Sequence, residues 1–236
     1  MPRRARGATG GVVYHVLNRA VPTVTLFSQQ EDYLAFQRVL VQAQERRHIR
    51  LLAYCLMPTH WHMVLWPESD GDLPVFMWWL TLTHVQRWHA FHKTVGMGPL
   101  YRSRYKSFPV QTDAHFLTVC RYVERNPLRA GLVRRAEDWP WSSLLRPRGG
   151  KREGGPTLTE WPVEKPREWT RWVNEPQTEK ELEALRVSVT RGRPFGEDSW
   201  VDVIARRLGL ECSLRRKGRP STRKRGREPF PQKPHS

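Results

Sequence analysis

The stretch from residue 49 to residue 66 constrains this chain more than any other. Residues 49–57 are almost continuously apolar, the pattern of a strand buried on both faces. Pro58-Thr59 reads as a tight turn, and residues 60–66 alternate as a returning strand. Residues 12–18 read as an earlier strand. Ser28 with Glu31 three residues on forms a capping box, after which Tyr33, Phe36, Leu40 and Ala43 follow helical spacing. A second helix is predicted over about residues 73–92, with Leu73, Phe76, Leu80, Trp88 and Phe91 at core positions. Residues 108–112 make a short strand. Asp113 caps a third helix running to about Asn126, with Phe116, Cys120 and Val123 on its apolar face. The order strand, helix, strand, strand, helix, strand, helix predicts an α+β fold. It is a ferredoxin-like antiparallel sheet with helices on one face, plus an extra helix.

Charge narrows the function. The chain of 236 residues carries a formal net charge of +17 and a sequence pI near 10.7. Folding and solubility need no such excess, so a polyanionic partner is expected, nucleic acid ahead of a membrane surface or an acidic protein. Cys55, Cys120 and Cys212 are scattered and odd in number, with no C-x-x-C signature, and read as reduced thiols of a cytoplasmic protein. The N-terminus has no apolar signal run, and the longest apolar stretch, residues 75–82, is too short to span a bilayer. Composition divides the chain at about residues 145, 176 and 220. A patterned unit of residues 1–145 precedes a Pro-, Gly- and charge-rich linker or loose wrap over residues 146–176. A small helical region over residues 177–220 and a disordered basic tail over residues 221–236 follow.

Two motifs carry chemistry. His60 and His62 lie two apart on a strand, so their side chains share a face, and Trp61 points the other way. Two imidazoles spaced about 6–7 Å at Cβ can chelate one ion. An isolated pair is also met as ordinary strand histidines, but here apolar runs flank it, and burying two imidazoles without a task is costly. The second motif is residues 121–127 (RYVERNP). On a helix Tyr122 and Asn126 share a face distinct from that of Phe116, Cys120 and Val123. A phenol so placed can attack a phosphodiester that a metal polarises, with the Asn126 amide oxygen as a third ligand. An interfacial tyrosine with an asparagine helix cap fits the same spacing. Pro127 also pushes Asn126 out of helical geometry.

These residues resemble a known family. Residues 14–19 (YHVLNR), 57–62 (MPTHWH), 101–107 (YRSRYKS), 122–133 (YVERNPLRAGLV), 139–143 (WPWSS), 191–196 (RGRPFG) and 217–220 (KGRP) follow, in order, the pattern of the REP-associated tyrosine transposases. Those are bacterial members of the HUH (His-hydrophobic-His) single-strand endonuclease superfamily. The resemblance covers residues 10–220. It implies a ferredoxin-like catalytic domain, His60 and His62 as metal ligands, and Tyr122 as a nucleophile that forms a 5′-phosphotyrosine link to cleaved single-stranded DNA. It implies a palindromic hairpin as substrate, Asn126 at the third-ligand position, and work at the bacterial nucleoid. The ion expected is Mg2+ or Mn2+; two imidazoles suit Mn2+ better on ligand softness. No small-molecule substrate or membrane partner is expected, and oligomeric state is open.

DNA contacts are expected from Arg102, Arg104 and Lys106, which interleave with Tyr101 and Tyr105 in the stacking-plus-phosphate pattern of single-strand binders. Charges against edge aggregation would look alike. Arg121, Arg125 and Arg129 flank the tyrosine and are expected near phosphates at the cut. Thr178 with Glu181 caps one C-terminal helix, and Gly209 closes another. Two Gly-Arg-Pro triplets bracket the latter, and Arg193 and Arg219 in them suit a narrow minor groove; for Arg193 a plain turn is an equal alternative. Two other functions stay open: a catalytically silent DNA-binding regulator on the same fold, and an RNA-binding module with stacking aromatics on the sheet.

Overall fold

The computed structural model describes residues 8–145 and 155–215. Strands β1 (Val13–Arg19), β2 (Arg50–Met57), β3 (His60–Trp66) and β4 (Lys106–Val110) form one antiparallel sheet in the order β2-β3-β1-β4. Helix α1 (Gln30–Arg46) links β1 to β2, and α2 (Asp72–Phe91) links β3 to β4. This is the ferredoxin-like α+β arrangement that the element order predicts.

The period of two in the strands builds two cores. Tyr14, Val16, Trp61, Met63 and Leu65 meet Phe36 and Leu40 of α1 and Phe76 and Leu80 of α2. On the opposite face Val13, Val64 and Phe108 meet α3 (Ala114–Glu124) through Phe116, Val119 and Val123. Both faces of the sheet are thus covered, so the sheet itself offers no stacking surface of the kind an RNA-binding module uses among the described residues.

Several expectations shift. The box at the start of α1 is one residue later: the Asp32 carboxylate accepts from the Ser28 amide and hydroxyl and the Gln29 amide. Phe91, expected in the core, is 59% exposed, because α2 outlasts the surface it lies on. Asp113 caps α3 as expected, accepting from the His115 amide at 2.8 Å. The helix ends at Glu124, and Asn126–Arg129 forms a short separate helix, α4, in which Pro127 takes an early position where its missing N–H is harmless.

The segment expected to be a linker or a loose wrap is an anchored wrap where it is described. Trp161 and Trp169 are buried, and their indoles donate to Leu52 O (2.8 Å) and to the buried Glu124 carboxylate (2.7 Å). Pro and charge mark the turns between these anchors, which is why composition alone reads as a loose wrap. Residues 139–143 and 159 line the outer edge of β2: Leu56 N donates to Trp141 O, Ser143 N to Tyr54 O, and Thr159 N to Leu51 O. Helix α5 (Trp169–Asn174) follows, then α6 (Glu179–Arg191), capped by Thr178 and Glu181, and α7 (Asp198–Leu208), closed by Gly209. Gly192 ends α6 at φ 71°, a left-handed turn, and brings Phe195 beside β4. There Phe195 exchanges backbone hydrogen bonds with Pro109 and Gln111. Both edges of the sheet are therefore occupied.

Candidate active site

The site sits on the α3 face of the sheet. Side-chain alternation along β3 places His60 and His62 on that face. Pairing of β1 with β3 adds His15, in register with Val64, two positions from His62. Tyr122, on the last turn of α3, lies over them. Its ring meets His62 edge-on, with centroids 5.7 Å apart, and His15 at 6.1 Å. His60 and His62 stand perpendicular at 5.1 Å. One chain supplies all four rings.

Each histidine of the pair is held by its inner nitrogen. His62 Nδ1 lies 2.9 Å from His15 Nε2, and His60 Nδ1 lies 3.3 Å from Thr59 Oγ1. Their Nε2 atoms make no hydrogen bond among the described residues. Burial, with the Arg19 and Arg129 guanidiniums nearby, pushes His60 down to about 4 and His62 well below its ordinary 6.5. Burial alone takes His15 to about 3. All three are neutral at physiological pH, the form that binds metals. His15 Nδ1 is buried with no partner.

The nucleophile candidate is also held. Arg129 lies over the Tyr122 ring at 4.6 Å and donates to its hydroxyl at 3.3 Å. The same guanidinium donates to Asn126 Oδ1 at 2.8 Å, and Asn126 Nδ2 donates to Tyr122 O.

A family model described as Transposase IS200 like matches residues 9–126, half the chain. The chain belongs to the IS200-like transposase family. The matched stretch contains His60, His62, Tyr122 and Asn126. The REP-associated tyrosine transposase of Escherichia coli K12 is 22% identical over 143 residues, which cover 58% of this transposase and 78% of that protein. A solved structure, described as a REP-associated tyrosine transposase bound to a REP hairpin, superposes with a TM-score of 0.51 at 17% identity. It covers 68% of this chain and 99% of its own. At that identity the match establishes the fold.

The remaining expected contacts divide. Arg102, Arg104 and Lys106 are exposed where the chain enters β4, with Tyr105 half-buried between them. Tyr101 is in the core, bonded by Trp61 Nε1 at 3.0 Å and paired with His84 Nδ1 at 2.7 Å. Arg121 and Arg125, expected to meet phosphates, are instead engaged by backbone. Arg121 donates to Glu175 O and Pro176 O, and Arg125 to Val173 O and Asn174 O, so both neutralise the C-terminal end of α5. Only Arg129 of that trio reaches the tyrosine. Arg193 lies 3.4 Å from Asp198, in the turn between α6 and α7. Arg219 and the tail lie outside the described residues. Sequence reasoning missed His15 as a site residue. Its tie to His62 comes from strand pairing across 47 positions, and the only local signal was its place on the same strand face as Val13. No described helix is long and apolar enough to cross a membrane.

Proposed function

We propose that this transposase cuts and rejoins single-stranded DNA at a hairpin, using Tyr122 as nucleophile. The observation that carries the reading is the meeting of Tyr122 with His62 at 5.7 Å, in a site where both His60 and His62 keep Nε2 free. The Tyr122 oxygen bonds to phosphorus and the P–O3′ bond breaks. The phenolic proton is lost, the departing 3′-oxygen gains one, and the 5′ end stays on the protein. Attack by a 3′-hydroxyl reverses the step, so no nucleotide cofactor is required. Arg129, bonded to the Tyr122 hydroxyl, stabilises the negative charge on that oxygen as the proton leaves.

The donor set fits a divalent ion. Two neutral imidazoles present Nε2 on one face, and no group of three or more His, Cys, Asp or Glu in metal-binding arrangement occurs among the described residues. Water and phosphate oxygen would complete the shell, which suits Mg2+ or Mn2+ better than a closed zinc site. Bound there, such an ion polarises the scissile phosphate. Asn126 Oδ1, which accepts from Arg129 and so holds it over the tyrosine, keeps a second lone pair that would serve as a third ligand beside His60 and His62. His15 orients His62: a metal-facing Nε2 lone pair on His62 requires the proton on Nδ1, where His15 Nε2 accepts it. The His15 proton then sits on Nδ1, a buried donor without an acceptor among the described residues.

The hairpin substrate rests on the relative above, a REP-associated tyrosine transposase whose structure was solved with a REP hairpin bound. The test is incubation of labelled hairpin DNA with protein and Mn2+, then denaturing electrophoresis. A covalent protein–DNA band is expected for the native chain and none for Tyr122→Phe. A band from the variant, or native cleavage in chelator, refutes the reading.

A further inference from the structure

One surface of the molecule is unused by the site just described. Along α2, Val75, Trp78 and Leu82 form an exposed apolar stripe at helical spacing, continued by the half-buried Val85; Trp78 is 63% exposed and Val75 46% among the described residues. Trp78, Leu82 and Val85 of the stripe, with Asn18, Tyr101, Arg104 and Tyr105, bound a groove of about 630 Å3. Its walls are aromatic and aliphatic, its rim carries Arg104, and no carboxylate lines it. The sequence around it is as one-sided. From residue 73 to residue 112 the chain has no Asp or Glu, against Arg87, Lys93, Arg102, Arg104 and Lys106. A second copy of this chain would bring like charges together on such a face, whereas a polyanion neutralises them.

The groove also lies at the right end of the sheet. Asn18 is in register with Trp61, and the next residue, Arg19, with His60. Asn18 faces the groove and Arg19, the next residue, turns to the opposite face beside the histidine pair, so groove and site lie on the two faces of the sheet at the same end, and a strand passing round the end of β1 reaches both. Residues 101 and 102 are tied to the same end of β1 by the Ala20–Tyr101 bridge and by Arg102 N donating to Arg19 O.

We propose that this groove is a base-stacking subsite for single-stranded DNA running to or from the Tyr122 site, with Trp78 and Tyr105 as its aromatic walls and Arg104 on the backbone phosphate. The proposal rests on the DNA-cutting reading above. A base can enter only when unstacked, since a duplex buries its faces; aromatic walls with a cation at the rim are the chemistry that binds single strands.

The test compares an oligothymidine of about 12 nucleotides with a duplex of the same length, by fluorescence anisotropy. Trp78→Ala is expected to weaken single-strand binding by about 5- to 150-fold and duplex binding by less than about twofold, because one lost stack is worth about 1–3 kcal/mol. Trp78→Phe keeps most of the affinity, and Arg104→Ala reduces the salt slope on the single strand by about 0.7. Trp78 is exposed, so the variants fold. Equal loss on both probes, or no loss on either, overturns the subsite. So does a native dimer in sedimentation that Trp78→Ala dissolves, which would assign the stripe to a second copy. If the native protein forms the covalent adduct while Trp78→Ala binds as native, the groove assignment falls and the cutting activity stands. If the native protein binds neither probe, the subsite falls, and the cutting activity is judged by the adduct alone.

Discussion

Replacing His15 with leucine should separate stability from metal binding. His62 is 3% exposed, and its Nδ1 has His15 Nε2 as partner at 2.9 Å. Leucine leaves that nitrogen buried and unpaired, which costs about 1–3 kcal/mol. It also removes His15 Nδ1, a buried polar atom that already has no partner and carries a penalty of the same order. The two terms offset, so Tm should move by no more than about 4 °C. Metal binding has no such offset. With the partner gone, the His62 ring is free to turn and to carry its proton on Nε2, and Mn2+ affinity should fall about 10- to 100-fold. Free Mn2+ counted by electron paramagnetic resonance, with uncut hairpin bound to a Tyr122→Phe background, reads the affinity directly. His15→Gln, whose amide oxygen can accept from Nδ1–H, should recover most of it. The reasoning is refuted if His15→Leu binds Mn2+ within about threefold of native, about 0.6 kcal/mol, or if glutamine does no better than leucine.

Other outcomes follow from the same geometry. His60→Ala and His62→Ala should each abolish cleavage while hairpin affinity by gel shift persists, and Asn126→Ala should weaken metal binding without ending it, because water can replace a neutral ligand. Arg129→Ala should slow adduct formation about 10- to 150-fold, the worth of one hydrogen bond to a charged group, with Arg129→Lys between the two, measured in single-turnover gels. His84 is buried and held near 3 rather than 6.5, so between those values the unfolded chain binds a proton that the folded chain does not. Stability from His84 is therefore complete above about pH 6.5 and declines below it by about 1 kcal/mol per pH unit, a slope that His84→Gln should reduce in thermal melts from pH 7.5 to 4.5. Removing residues 215–236, with nine Lys or Arg against Glu228, should weaken hairpin binding and flatten its salt dependence by about 0.7–0.9 per lost phosphate contact, yet leave cleavage at saturating DNA.

What could be read from the sequence was whatever depends on near neighbours. Alternation fixed the common face of His60 and His62 and sent Trp61 into the opposite core, and local caps at Asp113, Thr178 and Gly209 matched their helices. What escaped depends on distant partners. The spacing of Arg121 and Arg125 shows that they share a side of α3, but the carbonyls that fill that side come from residues 173–176, some fifty positions on. Trp161 and Trp169 were hidden by the prolines and charges around them, since composition averages over a segment and burial is decided one side chain at a time. Phe91 had the period of a core residue but no surface opposite it.

The covering of β4 by Phe195 has a consequence for how the chain is made. Val110 and Phe195 are 85 residues apart. At about 5–20 residues per second of synthesis, the outer edge of β4 waits about 4–17 s for its neighbour. An open strand in a crowded setting is a template for another nascent chain. This edge is poor bait: Lys106 opens it with a charge, and Pro109, one of its five residues, has no N–H to offer. The residue that blunts the strand during the wait is the one whose carbonyl later accepts the Phe195 amide, so the edge is guarded early and closed late at a single position.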